Sequence, residues 1–227
     1  MTTDVISEKL KKIGANYRDE IVDLWKTKES PDYIYFTKGE DDKWIAAFWE
    51  PTSVFSKVFS QLNTTHIAEI ACGFGRHSAQ IVNRCGSLYM IDTSVDAVAF
   101  ATERFKLFPH VKVALSKDGI SMPDVANESL TAVFSYDAMV HFEPLTIMLY
   151  LSEIARTLVP GGRALLHHSN YSENPTGKFS DVTGGRNYMS QSLFAHFCSR
   201  NGLKVIYQEI LDWSFAKSDA LTLIQKS

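Results

Sequence analysis

Two glycines bracketing one residue at the end of an apolar run are the first place where residue types in this chain point to chemistry. The stretch reads Ile67-Ala68-Glu69-Ile70-Ala71-Cys72-Gly73-Phe74-Gly75-Arg76-His77-Ser78. It predicts a buried parallel strand turning sharply into a helix, with glycine where a side chain would keep a ligand off the backbone. Amides left unpaired at such a helix start make a receptor for a polar ligand. A dinucleotide fingerprint needs a third glycine three residues further on. Ser78 stands there, so the pyrophosphate-binding version is disfavoured. Glu69 is an acid inside the strand, a position that calls for a cation nearby.

More polar residues follow the other apolar runs, where open α/β sheets bind ligands. Asp92 ends the run Tyr89-Met90-Ile91, about 20 residues beyond the glycine turn, and an acid there can accept from both hydroxyls of a ribose. Its bland role is to precede a helix capped by Thr93 or Ser94. Asp118-Gly119 follows the third run, and as an Asp-Gly turn it needs no ligand. The fourth run ends in Ser135-Tyr136-Asp137-Ala138-Met139-Val140-His141. Asp137 either caps a helical turn or meets substrate, and His141 is either packed or catalytic. The fifth run ends in His167-His168. Adjacent strand residues point to opposite faces, so one of the two faces a site and parity alone does not say which. A metal site using both would require the strand to break, and no acidic cluster accompanies them; no metal is expected. The loop from Tyr171 to Asn187 is long, polar and glycine-rich, the kind that carries specificity. Arg186 within it pairs with a surface acid or with an anionic substrate group.

The segment from Glu69 to Gly75 resembles motif I of the class I S-adenosylmethionine-dependent methyltransferases, acid-x-x-x-G-x-G. That resemblance implies S-adenosyl-L-methionine as cofactor, with Glu69, Ala71, Gly73, Gly75, Asp92 and Thr93 around it. It further implies that Asp118 and Gly119 meet the adenine amino group ahead of the Ser121-Met122-Pro123 turn. Ser135 and Tyr136 would lie beside the methionine moiety. The segment Ser135–His141 is similar to the S-x-D-x-x-x-H pattern of phosphobase methyltransferases, in which the aspartate approaches an amine and the histidine assists proton removal. Leu158-Val159-Pro160-Gly161-Gly162 matches a family turn whose role is geometric.

These residues must be held by a scaffold. From Ile67 the chain alternates strands (Ile67–Ala71, Ser87–Ile91, Val111–Leu115, Leu130–Ser135, Arg163–His168, Leu203–Leu211, Ala220–Gln225) with helices (Gly75–Asn83, Ser94–Phe105, Thr146–Leu158, Ser190–Asn201). Such alternation predicts an α/β fold, a parallel sheet with helices on both faces. The link from Asp212 to Asp219 is too short for a helix, so the last strand must run antiparallel. The resemblance implies the same plan: a Rossmann-like, seven-stranded, mostly parallel sheet with one strand reversed. Upstream, Val5–Trp25 has helical periodicity, and Pro31–Trp49 is rich in aromatics (Tyr33, Tyr35, Phe36, Trp44, Phe48, Trp49). Pro51–Leu62 reads as a helix. Residues 1–62 are therefore read as a helical, aromatic cap or lid, and 63–227 as the cofactor-binding domain.

With 227 residues, 45% of them hydrophobic, the chain can build one ordinary domain with additions. A net charge of −3 without a basic block advertises no nucleic-acid surface. Cys72, Cys85 and Cys198 are scattered and odd in number, which favours a reducing compartment. No run reaches membrane-spanning length, so a cytoplasmic protein is expected. The acceptor is expected to be a small molecule, and oligomeric state is left open. The first expectation is O-methylation of a sugar, glycan or secondary-metabolite hydroxyl with a histidine as general base, drawn from His141, His167 or His168, with His77 also near a strand end. The alternatives are N-methylation of a small amine or phosphobase with Asp137 holding it, and a module that binds the cofactor without chemistry. A nicotinamide oxidoreductase is disfavoured by Ser78 and by the reversed last strand.

Overall fold

The structure, a computed structural model, describes residues 41–178 and 181–227. The helix expected over Val5–Trp25 and the aromatics Tyr33, Tyr35 and Phe36 lie outside the described residues.

Seven strands form one sheet: β1 (His66–Ile70), β2 (Ser87–Asp92), β3 (Val111–Leu115), β4 (Leu130–Met139), β5 (Leu158–Ser169), β6 (Leu203–Leu211) and β7 (Asp219–Lys226). Their order is β3-β2-β1-β4-β5-β7-β6. β1 pairs in parallel with β2 and β4, while β7 runs antiparallel to both β5 and β6, as the short last link requires. Among the described residues the helices are α1 (Asp42–Trp49), α2 (Val54–Phe59), α3 (Ser78–Ile81), α4 (Val95–Arg104), α5 (Pro144–Thr157) and α6 (Gln191–Arg200).

Alternation along the strands sorts the core into two layers. Ala68, Ile70, Val133 and Leu166 face α5 and α6, joining Ile147, Ile154, Phe194 and Cys198. Ile67, Phe134, Leu165 and Leu223 face the other way, toward Phe48 of α1, Phe55 of α2, Ile81 of α3 and Ala101 of α4. Helix starts follow capping chemistry. The hydroxyls of Ser53, Ser94 and Ser190 accept from the amides of Ser56, Ala97 and Leu193, and Pro144 opens α5.

β5 begins at Leu158 and not at Arg163, so residues 158–162, expected as a turn, lie in the strand, and two further elements depart from expectation. The helix expected over Gly75–Asn83 is only α3, followed by a 3-10 turn at Val82–Arg84. Gly75 is in the left-handed region (φ +80°), so the helix cannot begin there. A helix this short offers no amide receptor for a ligand. β4, expected to stop at Ser135, runs on to Met139 through a bulge: Ser135 pairs with Leu166 and Met139 with His168, so Tyr136, Asp137 and Ala138 all oppose His167.

Candidate functional site

The carboxyl ends of β1, β2, β4 and β5 meet along one rim, and the beginning of the reversed β7 reaches the same rim. After β1 the backbone turns through left-handed conformations at Ala71 (φ +56°), Gly73 (+52°) and Gly75 (+80°). A Cβ on Gly75 would stand 2.5 Å from the Phe105 ring and 2.7 Å from the Met90 methyl, so only glycine fits. The turn is tied to β2: the Gly73 amide donates to Asp92 Oδ2 at 2.8 Å and the Ser94 amide to Oδ1 at 2.8 Å. Each carboxylate oxygen keeps lone-pair capacity, which matches a vicinal diol. Burial pushes the Asp92 carboxyl up, and these amides draw it back part of the way. Half-buried Thr93 lies between them. The donor set at this turn thus fits the ribose of a nucleoside cofactor.

Glu69 is 2% exposed and accepts from the Ser78 hydroxyl. Burial, offset by Ser78 and by the Arg76 charge, still pushes its pKa up to about 8. The cation that its position called for is Arg76, the residue after the turn. After β3, Asp118 Oδ1 accepts from the amides of Ile120 (3.1 Å) and Ser121 (2.8 Å) and from the Ser121 hydroxyl (2.7 Å). Burial alone would raise this carboxyl, but these donors hold it below its ordinary value. Asp118 therefore shapes the turn at Gly119 (φ +70°) in its own right. On β4, the Ser135 hydroxyl donates to the Ile70 carbonyl at 2.9 Å and is fully buried. It stitches two strands together.

Beyond Ser135 the bulge assembles the densest polar group. Asp137 is held in a left-handed conformation (φ +57°). Its Oδ1 accepts from Trp213 Nε1 at 3.1 Å, and its Oδ2 pairs with Arg76 Nη2 at 3.3 Å. Burial raises its pKa to about 6, while nearby His167 and Arg186 pull it back down. The Asp137 amide donates to His167 Nδ1 at 3.1 Å. His167 is fully buried, and its Nε2 lies 2.9 Å from Asp219 Oδ2. The ring N–H is turned off that line, so the contact is electrostatic more than a formed hydrogen bond. Asp219 is in turn forked by Arg186, Nε to Oδ1 at 2.8 Å and Nη2 to Oδ2 at 2.6 Å. Burial would raise the Asp219 carboxyl, yet His167 and Arg186 hold it far below its ordinary value. Arg186 thus pairs with a buried acid, neither the surface acid nor the substrate anion that the sequence suggested.

The remaining histidines divide clearly. His141 donates from Nδ1 to the Gly185 carbonyl at 2.6 Å, since a carbonyl can only accept. Burial is the main reason its pKa falls to about 4. His168 is on the opposite face of β5, stacked on Phe194 of α6 with centroids 3.7 Å apart. Both of its ring nitrogens are engaged, by the Ser169 carbonyl at 2.8 Å and the Thr222 hydroxyl at 2.9 Å. As a candidate base it is therefore corrected: His168 is a core residue. His77 is enclosed by Phe48, Phe55 and Tyr136. Trp49 Nε1 and Arg76 Nε each approach one of its ring nitrogens at 3.1 Å. A neutral imidazole can accept at only one nitrogen, so one of these is a contact without a hydrogen bond. Burial, then the Arg76 charge, keeps His77 neutral.

Tyr136 stacks on His167 at 4.6 Å and packs at 5.0 Å from Phe48, which itself lies 5.2 Å from Trp213. Through Phe48 and Trp44, helix α1 covers this part of the rim. Arg76, Trp213 and Asp219 escaped the sequence reading. For Asp219 a signal existed: a reversed strand brings its first residue, not its last, to the ligand rim. Among the described residues no group of three His, Cys, Asp or Glu side chains is placed to hold a metal ion, and no helix is long and apolar enough to cross a membrane.

Residues 67–162 match the family model of a methyltransferase domain. No curated protein matches the chain. Solved structures similar to it include a geranyl diphosphate C-methyltransferase from Streptomyces coelicolor A3(2), determined with Mg2+, geranyl diphosphate and S-adenosyl-L-homocysteine (15% identity, TM-score 0.63, 90% of this chain and 85% of that one). An SAM-dependent methyltransferase from Aquifex aeolicus is also similar (14%, 0.61, 86% and 98%). So is the [4+2]-cyclase SpnF (13%, 0.62, 82% and 81%). At these identities the likeness speaks for the fold alone.

Proposed function

We propose that the chain, whose residues 67–162 match a methyltransferase domain, uses S-adenosylmethionine to methylate a hydroxyl of a small molecule and that His141 takes the proton. The observation that carries this reading is the tautomer of His141. Its Nδ1–H is committed to the Gly185 carbonyl at 2.6 Å, which makes Nε2 the basic nitrogen of a ring kept neutral. His168 is buried in the core, and the Nδ1 of His167 is taken by the Asp137 amide. His77 stands between two N–H donors.

S-adenosylmethionine, when bound, supplies an electrophilic methyl group on a sulfonium centre. For that ligand Asp92 would accept from the ribose hydroxyls, and the turn at Ala71–Gly75 would let the backbone approach. Glu69, mostly protonated near neutrality, and Asp118, tied into its own turn, hold the shape of the cradle. The Phe48–Tyr136–Trp213 cluster and helix α1 would keep water from the reacting groups, which supports the cap reading for the described part of residues 1–62, residues 41–62, over the 63–227 domain. What remains for the protein is alignment of the acceptor and removal of one proton.

The amine alternative has less support. An ammonium substrate would seek Asp137 and the nearby aromatic faces, and Arg76 already occupies that place, with its guanidinium 5.7 Å from the Phe48 ring centroid. The test is transfer of labelled methyl from S-adenosylmethionine to panels of small hydroxyl and amine compounds, followed by His141→Ala on the best acceptor. The expectation is transfer to hydroxyls and a loss of about 100-fold or more in kcat in the variant. Transfer confined to amines, or a His141→Ala enzyme with undiminished kcat, rejects the reading.

A further inference from the structure

The two polar residues that bracket the β4 tip, Asp137 and His141, are held from outside their own segment, and both holds lead to one buried ion pair. Asp137 is held through its backbone: an N–H can only donate, so His167 Nδ1 must be the acceptor and carries no proton, which leaves the ring proton on Nε2, 2.9 Å from Asp219 Oδ2. His141 is held through the Gly185 carbonyl, and Gly185 is bonded in the chain to Arg186. Arg186 and Asp219 close the loop between them, with side chains only 4% and 0% exposed. The guanidinium also donates to the Gly184 carbonyl, so it fixes the backbone just before Gly185 as well as the carboxylate. Gly184 and Gly185 are both left-handed (φ +73° and +64°), a region glycine enters freely, and the Arg186 contact with the Gly184 carbonyl selects the conformation that aims the Gly185 carbonyl. Asn187 continues the attachment, its amide donating to the Val140 carbonyl at 2.9 Å.

We propose that the Arg186–Asp219 pair is a positioning clamp with two arms: through His167 it holds the left-handed turn that places the Asp137 carboxylate, and through Gly184–Gly185 it sets the tautomer of His141. Neither clamp residue meets the acceptor; both act through others. The pair sits at the junction of a specificity-type loop and the reversed strand, so a shift in either element is felt at both ends of the β4 tip at once. The significance of His141 as a base rests on the proposed function, but the clamp itself is a statement about ring protons and stands without it.

Ring nitrogen shifts of the histidines, read by NMR on the whole chain, test the clamp directly. In the wild-type protein His167 is expected as the Nε2–H tautomer and His141 as the Nδ1–H tautomer; finding either ring in the other tautomer overturns the proposal. Asp219→Asn turns an N–H toward donors that expect an acceptor, which breaks the Arg186 fork. Both rings should then lose their single tautomer, with hydrogen exchange at the Asp137 amide at least about tenfold faster. Arg186→Lys keeps a positive charge and gives up the fork, so His141 should change while His167, still facing a carboxylate, does not. A folded Asp219→Asn protein with both rings as in wild type overturns the clamp. Should that variant fail to fold, an unchanged His141 in Arg186→Lys overturns it equally. If the tautomers behave as stated while His141→Ala retains full turnover, the clamp survives and the proposed base does not.

Discussion

Replacing Glu69 with glutamine should make the protein more stable than the wild type as the pH rises, although it removes an acid from the strand that leads into the glycine turn. The carboxyl is 2% exposed, with one hydroxyl donor and an ordinary pKa of 4.5 pushed up to about 8 by burial. A carboxyl whose folded pKa lies above its unfolded value binds more protons folded than unfolded. Its contribution to stability is complete below 4.5 and is lost progressively as the pH rises toward 8. The slope between these limits is about 1.4 kcal/mol per pH unit. Between pH 5.5 and 7.5 the wild type should therefore lose about 2.5 kcal/mol that Glu69→Gln, whose carboxamide still accepts from Ser78, does not lose. All other titrating groups are common to both proteins and cancel in the difference. Urea unfolding of the two proteins across this window reads the quantity directly. A stability difference constant to within about 0.5 kcal/mol, the scatter of an ordinary surface substitution, would refute the reasoning. It would mean that Glu69 reaches water or is ionised in the folded chain.

Other outcomes follow from the same geometry. Asp92→Ala removes the acceptor for Gly73 and Ser94 and, on the proposed reading, for the ribose, so S-adenosylhomocysteine affinity by calorimetry should fall about 100-fold or more; a loss under threefold counts against that role. Gly75→Ala places a methyl group 2.5 Å from Phe105 at φ +80° and should cost at least about 2 kcal/mol, lowering the melting temperature by roughly 4–8 °C. Turnover should fall as the pH drops through about 6, where protonation of Asp137 weakens its links to Arg76 and Trp213. A pH–rate profile should show that limb vanish in Asp137→Asn, at a lower plateau.

The sheet was legible because its signals are local. Apolar runs of strand length alternate with capped helices such as Ser94–Arg104, and the link at 212–219 leaves no room for a crossover, which forces β7 to reverse. The glycine turn was legible for the same reason, since left-handed backbone leaves a residue signature. The β4 bulge was not. Ser135-Tyr136-Asp137-Ala138-Met139 reads as a strand end either way, and only pairing with β5 shows that three residues oppose His167. The partners of Asp137 were equally hidden, because Trp213 and Arg76 come to it from positions 76 and 61 residues away. The choice between His167 and His168 needed a register. It was decided by Phe194 and Thr222, which lie on elements the histidines meet only in the folded chain.

The reversal of β7 also sets how the molecule can be handled. Asp219 lies level with Ser169 at the carboxyl rim, and Lys226 lies level with Leu203 at the other rim. Eight residues at about 3.4 Å each put the two rims roughly 25 Å apart. An attachment to a sensor surface or a bead made beyond Lys226 would hang from the side of the sheet opposite the glycine turn. Molecules anchored there would present the ligand rim to the bulk solution.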